Sequence, residues 1–446
     1  MSRWLPYILF LVALVVYVAS DLLNKQQEPT KPQETVITFW AFSYPAYTMQ
    51  ELKGLFEHEN PGLKVEVQTV AWEHLQQKTL WAIAANSNVP DVIVGSSEWL
   101  GGLVHAGALA PLDGDELDTE FFSRYFPTAL QIYQYPEVGS GDTFTSPSRI
   151  RQYGVPLDLD LMLSFYRADV LEPLLQKYCS GRFPETWDEL LLLGQAVHKE
   201  FQTSQPQVRL TVLDPEDPVP MSMAFLPASG AQIIDERRSK PVFQSPEGCA
   251  AFSFFYRLLA NNCAVRWDRG TMEDPLVLFK TTRALVCFTG PWYGKVLERR
   301  APELTGKWRI AKFPRRQPSF PSSALGGACL AVPRNAPHKQ AAMRLIRFMA
   351  SERFALEYFR RVGSPPPLKT AWNDPLFDRP VAYFGGQKIY QVIRSVIETA
   401  RPTQLLPNTQ ITRDYLRRAL RAIADGAPIQ ETLERTAREV EILLAE

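Results

Sequence analysis

Between Thr35 and Val94 the sequence alternates strand-like and helix-like stretches, and that rhythm admits few folds. Thr35-Val36-Ile37-Thr38-Phe39-Trp40 is a β-rich run, followed by a loop over 41–47. Thr48 with Glu51 forms a capping box that opens a helix, with Met49, Leu52, Leu55 and Phe56 as its buried stripe. Pro61-Gly62 ends it, and Leu63, Val65 and Val67 then alternate as a second strand. A further helix over 75–85 leads through Pro90-Asp91 into the strand Val92-Ile93-Val94. Strand, helix, strand, helix, strand is the pattern of an open, largely parallel sheet. In such sheets ligands sit beyond the carboxyl ends of the strands, which points to the loops 40–47, 70–73 and 95–98.

A second α/β unit follows the interruption near 146–154. Residues 155–166 are strand-like, and Thr186 with Glu189 forms another capping box. Later come a helix opened by Ser245 and Pro246, the strand Ala284 to Phe288, the turn Gly290-Pro291-Trp292 and a glycine-opened strand over 324–332. The length, 446 residues, accommodates two or three domains.

Charge and metal-ligand content narrow the function. Lysine plus arginine number 48, as do aspartate plus glutamate, and no long basic run exists to bind nucleic acid. The five histidines are scattered without ligand spacing, so neither a metal site nor a cofactor is expected. Arg3 precedes an apolar run from Trp4 to Ala19, ending at Val18-Ala19-Ser20, which reads as a secretory signal or an uncleaved anchor over 1–23. No cysteine lies there to carry a lipid. The proline-containing polar stretch within 24–34 then acts as a linker. Cys249 and Cys263 are the nearest cysteine pair, but fourteen helical residues would hold them about 21 Å apart, too far for a disulfide.

Several stretches, taken in order, carry a resemblance to a known family. They are ITFW (37–40), VPDVIVGSSEWL (89–100), YGVPLDLDLMLSFYRADVL (153–171) and PETWDEL (184–190), then ASGAQIIDE (228–236) and FTGPW (288–292). ALGGACLAV (324–332), GSPPPLKTAWNDPLF (363–377) and the C-terminal run 406–437 complete the set. From Thr35 onward the chain resembles the extracellular solute-binding proteins of sugar ABC importers, the maltose-binding type. The resemblance implies an α/β, two-lobed periplasmic-binding-protein type II fold with discontinuous lobes joined by a hinge. The first lobe would comprise 35–149 and 323–350, the second 150–322 and 351–446, with crossings near 148–155 and 318–326. It implies a monomer outside the cytoplasm that binds a small solute, most naturally a carbohydrate, and delivers it to ABC importer permease subunits.

Candidate contacts follow from the chemistry of sugars, which need aromatic faces for the ring and carboxylates or amides for the hydroxyls. Trp292 matches a stacking position of the family and reads first as a ligand face, with core packing as the alternative. Trp40, Tyr44 and Tyr47 lie on the first strand-end loop, and Trp72 with Glu73 on the second. Ser96, Ser97 and Glu98 lie on the third. Alternation in VPLDLDLML puts Asp158 and Asp160 on one strand face, and Asp160 matches a polar ligand position. Gly326 and Gly327 would admit close backbone approach or a bulge. Near the start of the penultimate helix, where the family often carries an aromatic residue, stand Arg413, Asp414 and Tyr415, a departure that speaks against a maltodextrin ligand. A glycoside hydrolase needs two carboxylates flanking a bond, whereas Asp158 and Asp160 lie side by side. A sensor subunit binding the same solute is the other alternative.

Overall fold

The computed structural model describes residues 12–20, 34–114, 117–137, 149–235, 240–268, 275–403 and 409–445. Most of the leader and linker expected over 1–34 therefore lies outside the described residues. Residues 12–20 are helical and exposed, and no helix among the described residues is long and apolar enough to cross a membrane.

Two five-stranded sheets organise the chain. The first uses β1 (Thr35–Ala41), β2 (Leu63–Thr69), β3 (Val92–Ser96) and β4 (Val155–Pro156). The second uses β5 (Leu163–Arg167), β6 (Arg209–Leu213), β7 (Ala264–Arg266), β8 (Ala284–Thr289) and β9 (Trp308–Lys312). The chain then returns to the first sheet as β10 (Ala328–Ala331). Spatial orders are β2-β1-β3-β10-β4 and β9-β5-β8-β6-β7. Each sheet has three parallel strands, then one antiparallel strand delivered from the other lobe: β10 beside β3, and β5 beside β8. This exchange makes both lobes discontinuous.

The helices show where local signals were overridden. α1 runs Ser43–Glu59, starting five residues before the Thr48–Glu51 pair, because Pro45 suits a first turn and Ala46, Met49, Leu52 and Phe56 form a continuous buried stripe. Thr48 is itself buried, and Leu55, expected in the stripe, is exposed. α2 (Trp72–Ala85) takes in Trp72 and Glu73, which were expected on a loop, and ends at Asn86 with φ +47°. The capping box of α3 (Trp187–Phe201) forms in both directions: Glu189 N donates to Thr186 Oγ1, and Thr186 N to the Glu189 carboxylate. Ser245 caps α4 (Pro246–Ala260), and no disulfide joins any of the five cysteines. α5 (Glu352–Val362) packs Phe354, Tyr358 and Val362 into the first-lobe core beside α1. Its place is therefore with the first sheet, whereas the expected division assigned everything after 350 to the second lobe. Continuous helical periodicity across 339–362 carries no mark of which core receives it. α6 (Thr409–Ala424) and α7 (Ile429–Ala445) pack on α4 in the second lobe.

Between Pro156 and Leu163 the chain leaves one sheet for the other, several residues after the crossing expected at 148–155, since Val155 still pairs with Leu330. Within it Asp160 and Gly326 exchange both backbone hydrogen bonds, at 2.9 and 2.8 Å. Ala324–Leu325 pairs in turn with Arg401–Pro402, adding a third strand to the hinge. Asp158 locks this junction from inside. Its carboxylate accepts from Ala328 N at 2.7 Å and from the Tyr358 hydroxyl at 2.9 Å, and also bonds Ser364. Burial nevertheless raises its pKa.

Asp158→Ala would leave buried donors without an acceptor, at about 1–3 kcal/mol for each. Urea unfolding should show the loss in full for Asp158→Ala and only in part for Asp158→Asn, which keeps a carbonyl acceptor.

Candidate functional site

The carboxyl ends of β3 and β8 both reach the crossing segment, so the space between the lobes is lined by strand-end loops. Ser97, just past β3, donates its amide to Gly327 O at 2.9 Å and accepts from Gly327 N through Oγ at 3.2 Å. A Cβ on Gly326 would come within 2.6 Å of Ser97 Oγ, and Gly327 holds φ +140°, so both glycines serve close backbone approach at the hinge. On the other side, a Cβ on Gly290 would collide with the Asp160 carboxylate and the Trp292 indole nitrogen. The Gly-Pro-Trp turn thereby lets Trp292 hydrogen-bond Asp160. Asp160 also accepts from Leu161 N at 2.9 Å. Burial pushes its pKa up to about 7, with the nearby Asp158 and Glu98 adding to the rise. Trp292 is half-buried and packs against apolar residues of both the first-lobe core and the cluster spanning the lobes.

A second group faces the same space from farther out. Glu98 Oε2 lies 2.6 Å from Arg413 Nη1, and the Arg413 guanidinium sits 4.7 Å above the Trp72 ring. Glu98 and Trp72 belong to the first lobe; Arg413, on α6, belongs to the second. Asp217, on the loop after β6, accepts from Val219 N at 3.0 Å and feels both Arg413 and Glu98. Burial raises it to about 7 as well.

Not every sequence candidate lies here. Trp40 is buried at 5% exposure under α2, with Lys78 Nζ 4.1 Å above its ring, because an α/β layer covers both faces of β1. Asp158 is consumed by the hinge. Tyr415 packs on the second-lobe core under Arg418. Arg413 and Tyr415, two residues and about 200° apart on a helix, flank opposite sides of the stripe Leu416, Ala419, Leu420 and Ile423. Glu73 is exposed, Tyr44 is half-buried against the first-lobe core, and Tyr47 is 59% exposed. Ser96 Oγ accepts from Glu98 N at 3.2 Å and shapes that turn. Asp217 escaped the sequence reading, although Asp-Pro-Glu-Asp-Pro after the alternating run Arg209–Leu213 marks a strand-end loop. Among the described residues no group of three or more His, Cys, Asp or Glu could hold a metal ion. A cavity of about 350 Å³ beside the hinge strand, reached by Gln131, Ser222 and Thr403, contains none of these cleft residues.

Residues 54–385 match the model of the bacterial extracellular solute-binding protein family. The chain belongs to that family. A binding protein of Brucella abortus (strain 2308) is 24% identical over 398 residues, covering 88% of each chain. A lactose-binding protein of Rhizobium radiobacter is 21% identical over 375 residues, covering 80% of each. The sugar-binding protein MalE of Xanthomonas citri superposes with a TM-score of 0.75 at 20% identity, over 92% of this chain and 98% of that one. The last likeness establishes the two-lobed fold of this solute-binding protein.

The raised carboxyls make a signed prediction. Asp160 binds its proton more tightly folded, at about 7, than at its ordinary 3.8, so the folded state holds a proton that the unfolded chain has lost. Its contribution to stability is present below pH 3.8 and disappears as pH rises through 7. Between pH 5 and pH 8 the apo protein should therefore lose more thermal stability than its Asp160→Asn variant, and Asp217→Asn should behave likewise. Parallel pH profiles for wild type and variants would contradict the assignment.

Proposed function

We propose that this protein captures a small sugar between its lobes, outside the cytoplasm, and delivers it unchanged to the permease subunits of an ABC importer. The observation that carries this reading is the Asp160–Trp292 pair at the base of the cleft. It sets a hydrogen-bond acceptor beside an aromatic edge where the hinge joins both sheets. A pyranose presents hydroxyls and an apolar face, which call for that combination. Glu98, Asp217 and Trp72 extend the same chemistry along the cleft, and Tyr44, Ser96 and Ser97 border it on the first lobe. Gly326 and Gly327 hold the hinge strands close enough for a solute to touch backbone. The names of the lactose-binding relative and of the sugar-binding structural neighbour agree with a carbohydrate solute.

The reading also accounts for closure. Trp292 belongs to the second lobe and Glu98 and Trp72 to the first, so a solute touching both sets favours the closed form through differential contacts.

A thermal-shift screen of mono- and oligosaccharides should find stabilising ligands by mass action. Chromatography after prolonged incubation should recover the ligand intact; release of cleaved sugar would contradict a purely binding role. In the same assay Trp292→Ala should weaken the best ligand at least about tenfold, or about 1.4 kcal/mol. A purely structural Trp292 would instead show as a loss of about 3–5 kcal/mol in apo stability with the affinity unchanged.

A further inference from the structure

Arg413 is out of place in a cleft otherwise lined by acceptors and aromatic rings. It reaches from α6 of the second lobe to two residues of the first, pairing with Glu98 at 2.6 Å and covering Trp72 at 4.7 Å. Its side chain is only 16% exposed and that of Glu98 only 20%, so the pair sits largely out of water, where screening is weak. Glu98 Oε2 is buried and has no hydrogen-bond partner, so its close ion pair with Arg413 is what compensates its charge. A guanidinium on an aromatic face and against a carboxylate gains from both contacts. Here both contacts cross the gap between the lobes.

Two consequences follow. The lobes are held together by the protein's own side chain before any solute arrives. Arg413 also occupies the Trp72 face, so a long oligosaccharide meets Trp292 at the base of the cleft but no bare ring at the Trp72 end. Anionic solutes fare poorly too, because Glu98, Asp160 and Asp217 face the space and Arg413 is already engaged by Glu98.

We propose that Arg413 is the specificity-determining residue of the cleft: an interlobe clasp on Glu98 and Trp72 that restricts the site to compact, uncharged, hydroxylated solutes. The choice of solute rests on the sugar-binding reading, whereas the clasp itself is testable on the empty protein.

Interlobe distance in the apo protein, read by a pair of fluorescent labels or by small-angle scattering, should lengthen in Arg413→Ala and in Glu98→Gln. The double variant should open no further than either single one, because the two residues act through one contact. In titrations with glucose, maltose, maltotetraose and glucuronate, wild type should prefer the two short neutral sugars. Arg413→Trp, which restores an aromatic surface, should raise maltotetraose affinity several-fold relative to maltose. Unchanged apo opening in both single variants would overturn the clasp, whatever the sugars do. An unchanged ratio of maltotetraose to maltose affinity in Arg413→Trp would overturn the specificity role. Silence of all four sugars, with the interlobe distance lengthened in the variants as expected, would leave the clasp standing and overturn its link to sugar selection, together with the sugar reading.

Discussion

Six residues, Leu157 to Met162, carry the chain between lobes, and everything that moves or binds depends on how they are held. Backbone hydrogen bonds between Asp160 and Gly326 fasten the segment to the returning strand on one side. The buried Asp158 carboxylate fastens it further to Ala328 of that strand and to Tyr358 of α5. A charged acceptor with several donors makes strong hydrogen bonds in a dry site and is costly to disturb. Each strand in the hinge is paired: 160 with 326, and 324–325 with 401–402.

Two aspartates two residues apart on this segment have opposite employment. Asp158 faces inward and spends its oxygens on the fold. Asp160 stands at the base of the cleft, with one hydrogen bond from its own neighbour's amide and another from Trp292. Asp158 makes a negative charge on Asp160 more expensive, and Glu98 adds to that burden. A site that concentrates acceptors in this way is tuned to donors, and a hydroxyl-rich solute supplies them without adding charge. Arg413 offsets part of the excess at the outer end, where the two lobes approach.

Trp292 and Arg413 thus mark two depths of one cleft. The tryptophan packs into cores belonging to both lobes, so its position reports the hinge angle; the arginine spans the gap by charge and by stacking on Trp72. Under the proposed function, closure around a solute would draw on both.

The α/β alternation, the capping of α3 by Thr186 and Glu189, the cap at Ser245 and the strand-end loops bearing Glu98 and Trp292 were all legible in the residues themselves. These depend on neighbours within a few positions, where hydrogen-bond geometry and hydrophobic period act directly. The true start of α1 at Ser43 was hidden, because burial of Ala46 outweighed a good cap at Thr48. Which core receives α5, and which flank of α6 meets the cleft, were decided by packing across hundreds of residues. Trp40 could not be told from a ligand face until α2 was laid over it, and Asp158 could not be told from Asp160 until Ala328 and Tyr358 arrived from elsewhere in the chain. Local sequence set what each segment could become; the crossing of the chain between two sheets decided which side chains were left to face the solute, because burial is a property of the assembled layers and not of any one strand.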